Sequence, residues 1–399
     1  MPLNPPDECA KMKAIISGAG IAGLALAWWL AADGWEVVLL EKEEKLRGQG
    51  YMIDFFGSGY EVAKRMKLAP RLDAARYPVT GVSWISKSGR TVARLDVSQI
   101  ADLLNGEYVS LMRGDLESVL FEALPSSVNV CFGTKVKDLT IATDGVSVAL
   151  SNGETEHADL LVGADGIHST IRRTVFGNEK KFFRYLGYHT AAFIFENPTL
   201  AASLNNEFKI MSVPGREMGF YPLRGGRVAS FFVHCARDMT LPRDDVAELR
   251  CVYGDLGWIV NDALDAAEKL PSIYYDQVAQ IDMPHWTKGR VALIGDACMA
   301  VSLLAGQGAS MAMASAYVLS EELRRQRSVE KTLQSYEARL KAPIKRKQRE
   351  ARQTANWIVP PTRFYLFARN TLMGLARIPG GGRILAKMFL SGAESVING

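Results

Sequence analysis

At 399 residues, with 48% apolar and 23% charged side chains, the chain has room for two sizeable cores and lacks the bias of a disordered or fibrous polypeptide. A net charge of +4, from 47 basic and 43 acidic residues, is too slight to imply a nucleic-acid partner. Five cysteines (Cys9, Cys131, Cys235, Cys251, Cys298) without a C-x-x-C pair, and five histidines without H-E-x-x-H spacing, encode neither a disulfide framework nor a metal site.

In chain order, "MPLNPPDECAKMK" lacks the apolar centre of a secretory signal. No stretch reaches the roughly 18 apolar residues of a spanning helix. The expectation is a cytoplasmic protein with no membrane span. Lys13 to Ser17 is a short apolar run, followed by "GAGIAG" and an apolar helical pattern from Ile21 to about Ala32, which Gly34 stops. "WEVVLLE" (35–41) then predicts a strand. The resulting β-α-β unit implies a parallel sheet covered on both faces.

No second such unit follows. "VTGVSWISKSG" within 79–97, and "TAAFIFE" and "GFYPLRGGRVASFFVHCA" within 181–275, read as antiparallel strands, with "RGGR" as a hairpin turn. Residues 127–164 give further strands ending in "ADLLVGADG". "GRVALIGDA" (289–297) reads as a buried strand leading to a helix from about Gly308 to Leu323. The remainder reads as helices broken at Pro343, at Pro360–Pro361 and at "PGGG" (379–382). Its basic run "KAPIKRKQREAR" (341–352) reads as a solvated helix face.

Gly18, Gly20 and Gly23 form G-x-G-x-x-G between a strand and a helix. The first permits a tight turn, the second lets backbone approach a pyrophosphate, and the third lets helix and strand pack closely. The N–H groups around Ile21 and Ala22 then face the anion. Glu41, at the tip of the next strand, suits ribose hydroxyls, which favours NAD or FAD over NADP at this site.

Three further segments, in order, make the chain resemble the group A flavoprotein monooxygenases typified by p-hydroxybenzoate hydroxylase. "LMRGDLESVL" (111–120) is similar to the family's helix-borne arginine, implying that Arg113 reaches the FAD pyrophosphate. "LLVGADGIHSTIR" (160–172) resembles the DG motif, implying Asp165 near the pyrophosphate and in NAD(P)H binding. "GRVALIGDACMAVSLLAGQGASMAMASAYVLSEEL" (289–323) resembles the GD motif, implying that Asp296 binds the ribityl or ribose hydroxyls. The same resemblance places Val136 at the adenine, Arg47 near flavin and nicotinamide, and Gly50 to Ile53 beside the isoalloxazine. Gly306, Gly308 and Ala309 open a helix of small residues that lets a flat ring approach. The chain departs from the family pattern at Cys298 to Leu304, an apolar stretch where an Ala-His and prolines are usual.

The implied fold class is α/β. A discontinuous Rossmann-like FAD-binding domain (11–75, 103–180 and 276–330) is joined to a mostly antiparallel β-sheet substrate domain (76–102 and 181–275). A C-terminal helical segment (331–399) packs across both. The implied activity is NAD(P)H- and O₂-dependent hydroxylation of an aromatic or polycyclic small molecule through a flavin C4a-hydroperoxide. NADH or NADPH docks transiently, since no second glycine-rich unit exists and "IPGGGRI" follows no strand. The protein is expected as a monomer or homodimer.

Substrate-side candidates are Phe193, Phe195, Phe220, Tyr221, Phe232 and His234, each read more readily as a core side chain on an alternating strand. No catalytic acid or base is named. "GYMIDFFGSGYEVAKRMKL" is similar to the tetracycline-inactivating branch, but the substrate region lends that antibiotic no support of its own. The alternatives are a flavin halogenase, an isoprenoid reductase that touches membrane through "RFYLFARNTLMGLARI" (363–378), and a non-catalytic flavin-bearing binding protein. In that segment the apolar residues read more economically as packing across the domains.

Overall fold

The computed structural model describes residues 11–46, 50–326, 328–374, 381–390 and 395–397. Lys13–Ser17 pairs in parallel with Glu36–Leu40 on one side (Ala14↔Val37) and with Leu160–Gly163 on the other (Ala14↔Leu160). Leu160–Gly163 pairs in parallel with Val291–Leu293, and Glu36–Leu40 with Val128–Cys131. A short antiparallel strand, Thr287–Lys288, completes this six-stranded sheet. The chain leaves its central strand, Lys13–Ser17, in one direction and returns on the other side. This is the switch point where open α/β sheets hold ligands.

Ala14–Ile16, Val37–Leu40, Leu160–Val162 and Val291–Leu293 of the four inner strands are buried, as parallel strands covered on both faces must be. Ile21–Ala32 covers one face and is apolar nearly all round, with Leu24, Leu26 and Leu30 fully buried. Gly308–Arg325 packs against it. The glycine turn packs so closely on Ile21–Ala32 that a Cβ on Gly23 would stand 1.9 Å from the Gly18 carbonyl oxygen.

The second sheet has seven strands. Tyr274–Ile281, Phe183–Glu196, Arg227–Cys235, Arg216–Pro222 and Glu207–Val213 run antiparallel to their neighbours. Glu207–Val213 then pairs in parallel with Gly81–Ile85, and Thr91–Asp96 forms the edge. The hairpin forms at the expected "RGGR", where Gly225 and Gly226 take φ of 74° and 72°.

Two expectations are corrected. Tyr274–Ile281 belongs to the second sheet, paired with Phe183–Glu196, so the return to the first unit comes after residue 281 and not at 276. Pro343 does not break the tail. Val329–Ile358 is one helix with Pro343 inside it. A proline removes one backbone bond, and packing outweighs that here. Leu340 and Ile344 are buried on either side of Pro343. The Gln348 side-chain amide donates to the carbonyls of Ile281 and Ala300 at 2.8 and 3.0 Å.

The long helix crosses the molecule. Leu333, Tyr336, Leu340, Ile344 and Ala351 join the core of the parallel sheet. Ala355 and Val359 join Tyr188, Val233 and Val278 of the second sheet. It ends at Ile358, before the Pro360–Pro361 pair.

Candidate active site

Four chemically distinct loops leave the carboxyl ends of four adjacent parallel strands. Gly18 to Gly20 follows Lys13–Ser17, Glu41 follows Glu36–Leu40, Asp165 follows Leu160–Gly163, and Asp296 follows Val291–Leu293. Gly18 has φ of 109°, and a Cβ there would meet the Ala164 carbonyl oxygen at 2.6 Å. The glycine turn and the Asp165 loop therefore lie in contact. A Cβ on Gly295 would stand 2.9 Å from the Ala22 Cβ, so the Asp296 loop abuts the start of the glycine-loop helix.

Glu41 is fixed at its strand tip by accepting the Ala19 N–H at 2.8 Å and the Glu43 N–H at 3.1 Å. Gly20 caps Ile21–Ala32 without a side-chain acceptor, and no acidic residue lies in the first turn. The N–H groups of Ile21 and Ala22 thus head a helix whose positive end favours an anion. Over Gly20 there is space bounded by Glu117 Oε1 at 3.7 Å and Arg113 Nη2 at 3.8 Å. Arg113 begins Arg113–Glu122, donates its N–H to the Tyr51 carbonyl at 3.0 Å, and pairs with the buried Glu117 at 2.9 Å.

Asp296 is exposed to solvent yet enveloped by protein, and burial raises its carboxyl pKa against the opposing charge of Arg113. Tyr274 behaves alike, exposed but with its phenol pushed far up by burial. Groups both reachable and enveloped line a deep cleft. Across it, a Cβ on Gly306 would meet nothing within 4 Å, and one on Gly308 only Asp296 Oδ1 at 4.0 Å. Gly308–Arg325 also lacks a side-chain cap and a first-turn acid. A pyrophosphate suits the space between Gly20 and Arg113, hydroxyls suit Asp296 and Glu41, and a flat ring suits Gly306 to Ala309. The residues present fit FAD.

Asp165 adjoins the glycine turn, its Cα 2.9 Å from where a Cβ on Gly18 would stand. Its carboxylate accepts Ser169 Oγ–H, the Thr170 N–H at 2.7 Å and the Ile171 N–H at 3.1 Å. It organises its own loop and heads the helix Thr170–Phe176. Arg172, in the same motif, was missed by sequence reasoning. It is fully buried and donates to the Ala297 carbonyl at 2.8 Å, the Ile167 carbonyl at 2.5 Å and Glu179 at 2.6 Å. It thereby ties the Asp165 loop to the Asp296 loop. Val136 is buried at the start of Val136–Ile141, paired with Leu150. Arg47 lies outside the described residues.

The aromatic candidates divide by strand parity. Phe193, Phe195, Phe220 and Phe232 point away from the cleft into a core with Leu249, Tyr253 and Leu264 from the helices Asp245–Tyr253 and Val260–Ala267. They do not wall the cleft, because side chains alternate across a strand. His234 shares that face, with Tyr253 and Tyr275 hydroxyls each at 3.4 Å, and burial lowers its pKa to about 4. It is no relay to the cleft. Tyr221 lies on the other face, where its hydroxyl meets the Met52 N–H. The cleft wall comprises Tyr51, within the expected 50–53 stretch, with Phe231 and Tyr274, which the sequence reading missed; Tyr51 is 6.3 Å from Phe231 and 6.4 Å from Tyr274 between ring centres. Burial pushes the Tyr51 phenol up to about 12.

A family model described as an FAD binding domain matches residues 11–351. A flavin-dependent monooxygenase from an unknown prokaryotic organism is 31% identical over 322 residues, covering 78% of this chain and 81% of its own. The FAD-dependent monooxygenase asL4 of Sarocladium schorii is 30% identical over 336 residues, covering 78% and 76%. Among solved structures, tetracycline destructase Tet(55) superposes with a TM-score of 0.81 at 26% identity, covering 96% and 97%. HpxO of Klebsiella pneumoniae, complexed with FAD and uric acid, gives 0.79 at 22%, covering 97% of each, and speaks to the fold. The fold and the cleft define a flavoprotein oxidoreductase. The chain belongs to the FAD-binding-domain family and is an FAD-dependent monooxygenase.

Proposed function

We propose that the protein hydroxylates a flat aromatic or polycyclic small molecule, with O₂ as oxygen donor and NADH or NADPH as reductant. The observation that carries this reading is the aromatic wall of Tyr51, Phe231 and Tyr274 beside the Gly306–Gly308 opening. Bound FAD supplies the hydride acceptance and oxygen activation that side chains lack.

The chain's own residues supply three things. Arg113 and the N-terminus of Ile21–Ala32 offset the pyrophosphate charge. The positive end of Gly308–Arg325 faces the ring site and favours negative charge there. Leu304, packed in the apolar cluster with Phe231 and Val233, keeps the reacting edge dry. A destructase of tetracycline among the similar structures supports a polycyclic substrate. The mixed sheet offers no second dinucleotide fold among the described residues, which supports transient docking of the nicotinamide. Free Cys131, Cys235, Cys251 and Cys298 support a reducing, cytoplasmic setting.

The test is a panel of flat phenols and polycycles given to the FAD-loaded protein, following NADH and NADPH consumption under isotopically heavy oxygen gas. The reading expects a substrate that accelerates consumption and leaves with one heavy oxygen atom. Tight binding without acceleration, or turnover without oxygen incorporation, overturns it.

A further inference from the structure

The helix Arg363–Met373 turns Arg369 and Met373 inward, at 3% and 8% exposure. Its outer face carries Phe364 at 74% and Phe367 at 70%. These are the two most exposed large apolar side chains among the described residues, and they lie on one face of one helix. Packing across the domains, the economical reading of this segment, accounts for the inner face only.

A second helix, Gly381–Phe389, lies beside it. Its Leu385 and Ala386 share a core with Met373 and with Ala93 and Leu95 of the edge strand Thr91–Asp96. Both helices therefore sit on that strand and share one apolar cluster with it. The outer face of the second helix carries Arg383, Ile384 and Lys387, with Ile384 at 61% exposure.

Charge is distributed unevenly along the chain. Residues 341–399 hold eleven of its 47 basic residues and two of its 43 acidic ones, so the preceding 340 residues are net acidic. Asp102, on the helix Val97–Leu103 packed against Gly381–Phe389, is exposed, while the other acids near this face are engaged elsewhere. Asp96 and Glu207 pair with Arg94, Glu217 with buried Arg369, and Asp255 with Arg216. Arg363, Arg383 and Lys387 remain exposed around the apolar residues.

Aromatic and aliphatic side chains ringed by basic ones, on helices lying flat, are suited to the interface of an anionic bilayer. A second copy of the chain would bring the same positive charge against itself, which disfavours self-association through this face. We propose that the paired tail helices dock the enzyme onto an anionic lipid surface, with Phe364, Phe367 and Ile384 entering the headgroup boundary. No described helix is long and apolar enough to cross a membrane, so the contact is peripheral. Docking would bring the enzyme to substrates dissolved in the bilayer.

The FAD-loaded full chain is sedimented with vesicles of phosphatidylcholine alone and of phosphatidylcholine with phosphatidylglycerol in equal parts. The proposal expects binding to the mixed vesicles only, weakened about tenfold or more by high salt. Phe364→Ser with Phe367→Ser, and separately Arg383→Glu with Lys387→Glu, each lower binding about tenfold or more. Flavin content and melting temperature stay unchanged, which separates lost docking from lost folding. No binding by wild type, equal binding to both vesicles, or equal binding by wild type and variants overturns the proposal. So does conversion of a wild-type dimer to monomer by these substitutions, which assigns the face to a second copy.

Discussion

The buried Lys347 ammonium, on the long tail helix, donates to Gln307 Oε1 at 2.9 Å. Gln307 is the residue from which Gly308–Arg325 starts, so the tail props the helix end that faces the flavin ring site. Hydrogen bonds to charged groups contribute about 1.5–3 kcal/mol. Lys347→Met is expected to weaken FAD binding about tenfold, read by flavin fluorescence titration. Unchanged affinity would show that the loop holds its position without the tail.

Arg172 joins two loops that are far apart in sequence, and its guanidinium has no exposure. Removing it leaves the Ala297 and Ile167 carbonyls without this donor and the Glu179 carboxylate paired with His168. Arg172→Leu is expected to cost about 3 kcal/mol of stability, measured by urea unfolding. A loss below about 1 kcal/mol would indicate that water replaces it.

Ser302 is a non-glycine residue at φ 120°, ψ 140°, in the apolar loop that departs from the family pattern. That backbone region is almost confined to glycine and costs about 1–3 kcal/mol for other residues. Ser302→Gly is expected to raise stability by about 1 kcal/mol, less what is lost with the Ser302 Oγ bond to the Leu304 N–H. A lower melting temperature would contradict this.

Two histidines give opposite pH signatures. The hydrogen bond to Asp276, with Glu179 adding to it against burial, raises the His168 pKa. Its contribution is complete below the unfolded value of about 6.5 and disappears as pH rises through the folded value. Burial lowers His234 to about 4. Its contribution is complete above about 6.5 and disappears as pH falls toward 4, on the order of 3 kcal/mol at full shift. Melting against pH should therefore show His168→Gln losing stability mainly on the acid side, while His234→Gln flattens the acid decline. Parallel curves for wild type and both variants would contradict these assignments.

Periodicity made the β-α-β unit legible, because apolar runs and G-x-G-x-x-G depend on local backbone geometry. Phe231 and Phe232 show where legibility ended. Both are apolar residues of one strand, and only packing against Asp245–Tyr253 decides which faces the helices and which the cleft. Pro343 is a second case, since a local breaker is overruled by long-range contacts of Leu340, Ile344 and Gln348. Arg172 lay inside a recognised motif, but its role was not legible, because it depends on the Ala297 carbonyl of a loop distant in sequence.

That division by parity yields its own expectation. Phe232→Ala removes a fully buried ring and should cost about 3–5 kcal/mol. Phe231→Ala should leave the fold largely intact and raise the KM of the substrate found by screening. Equal destabilisation by both substitutions would contradict the assignment of faces.

The most direct test of the cofactor site uses Gly20. Its φ of −80° and ψ of −176° suit any residue, and a Cβ there meets nothing nearer than 3.7 Å. Valine is therefore compatible with the fold but fills the space assigned to the pyrophosphate. The measurement is flavin absorbance per mole of purified Gly20→Val, with Asp296→Ala alongside and melting temperature recorded for both. Folded but largely colourless proteins are predicted; full flavin content in both would contradict the site.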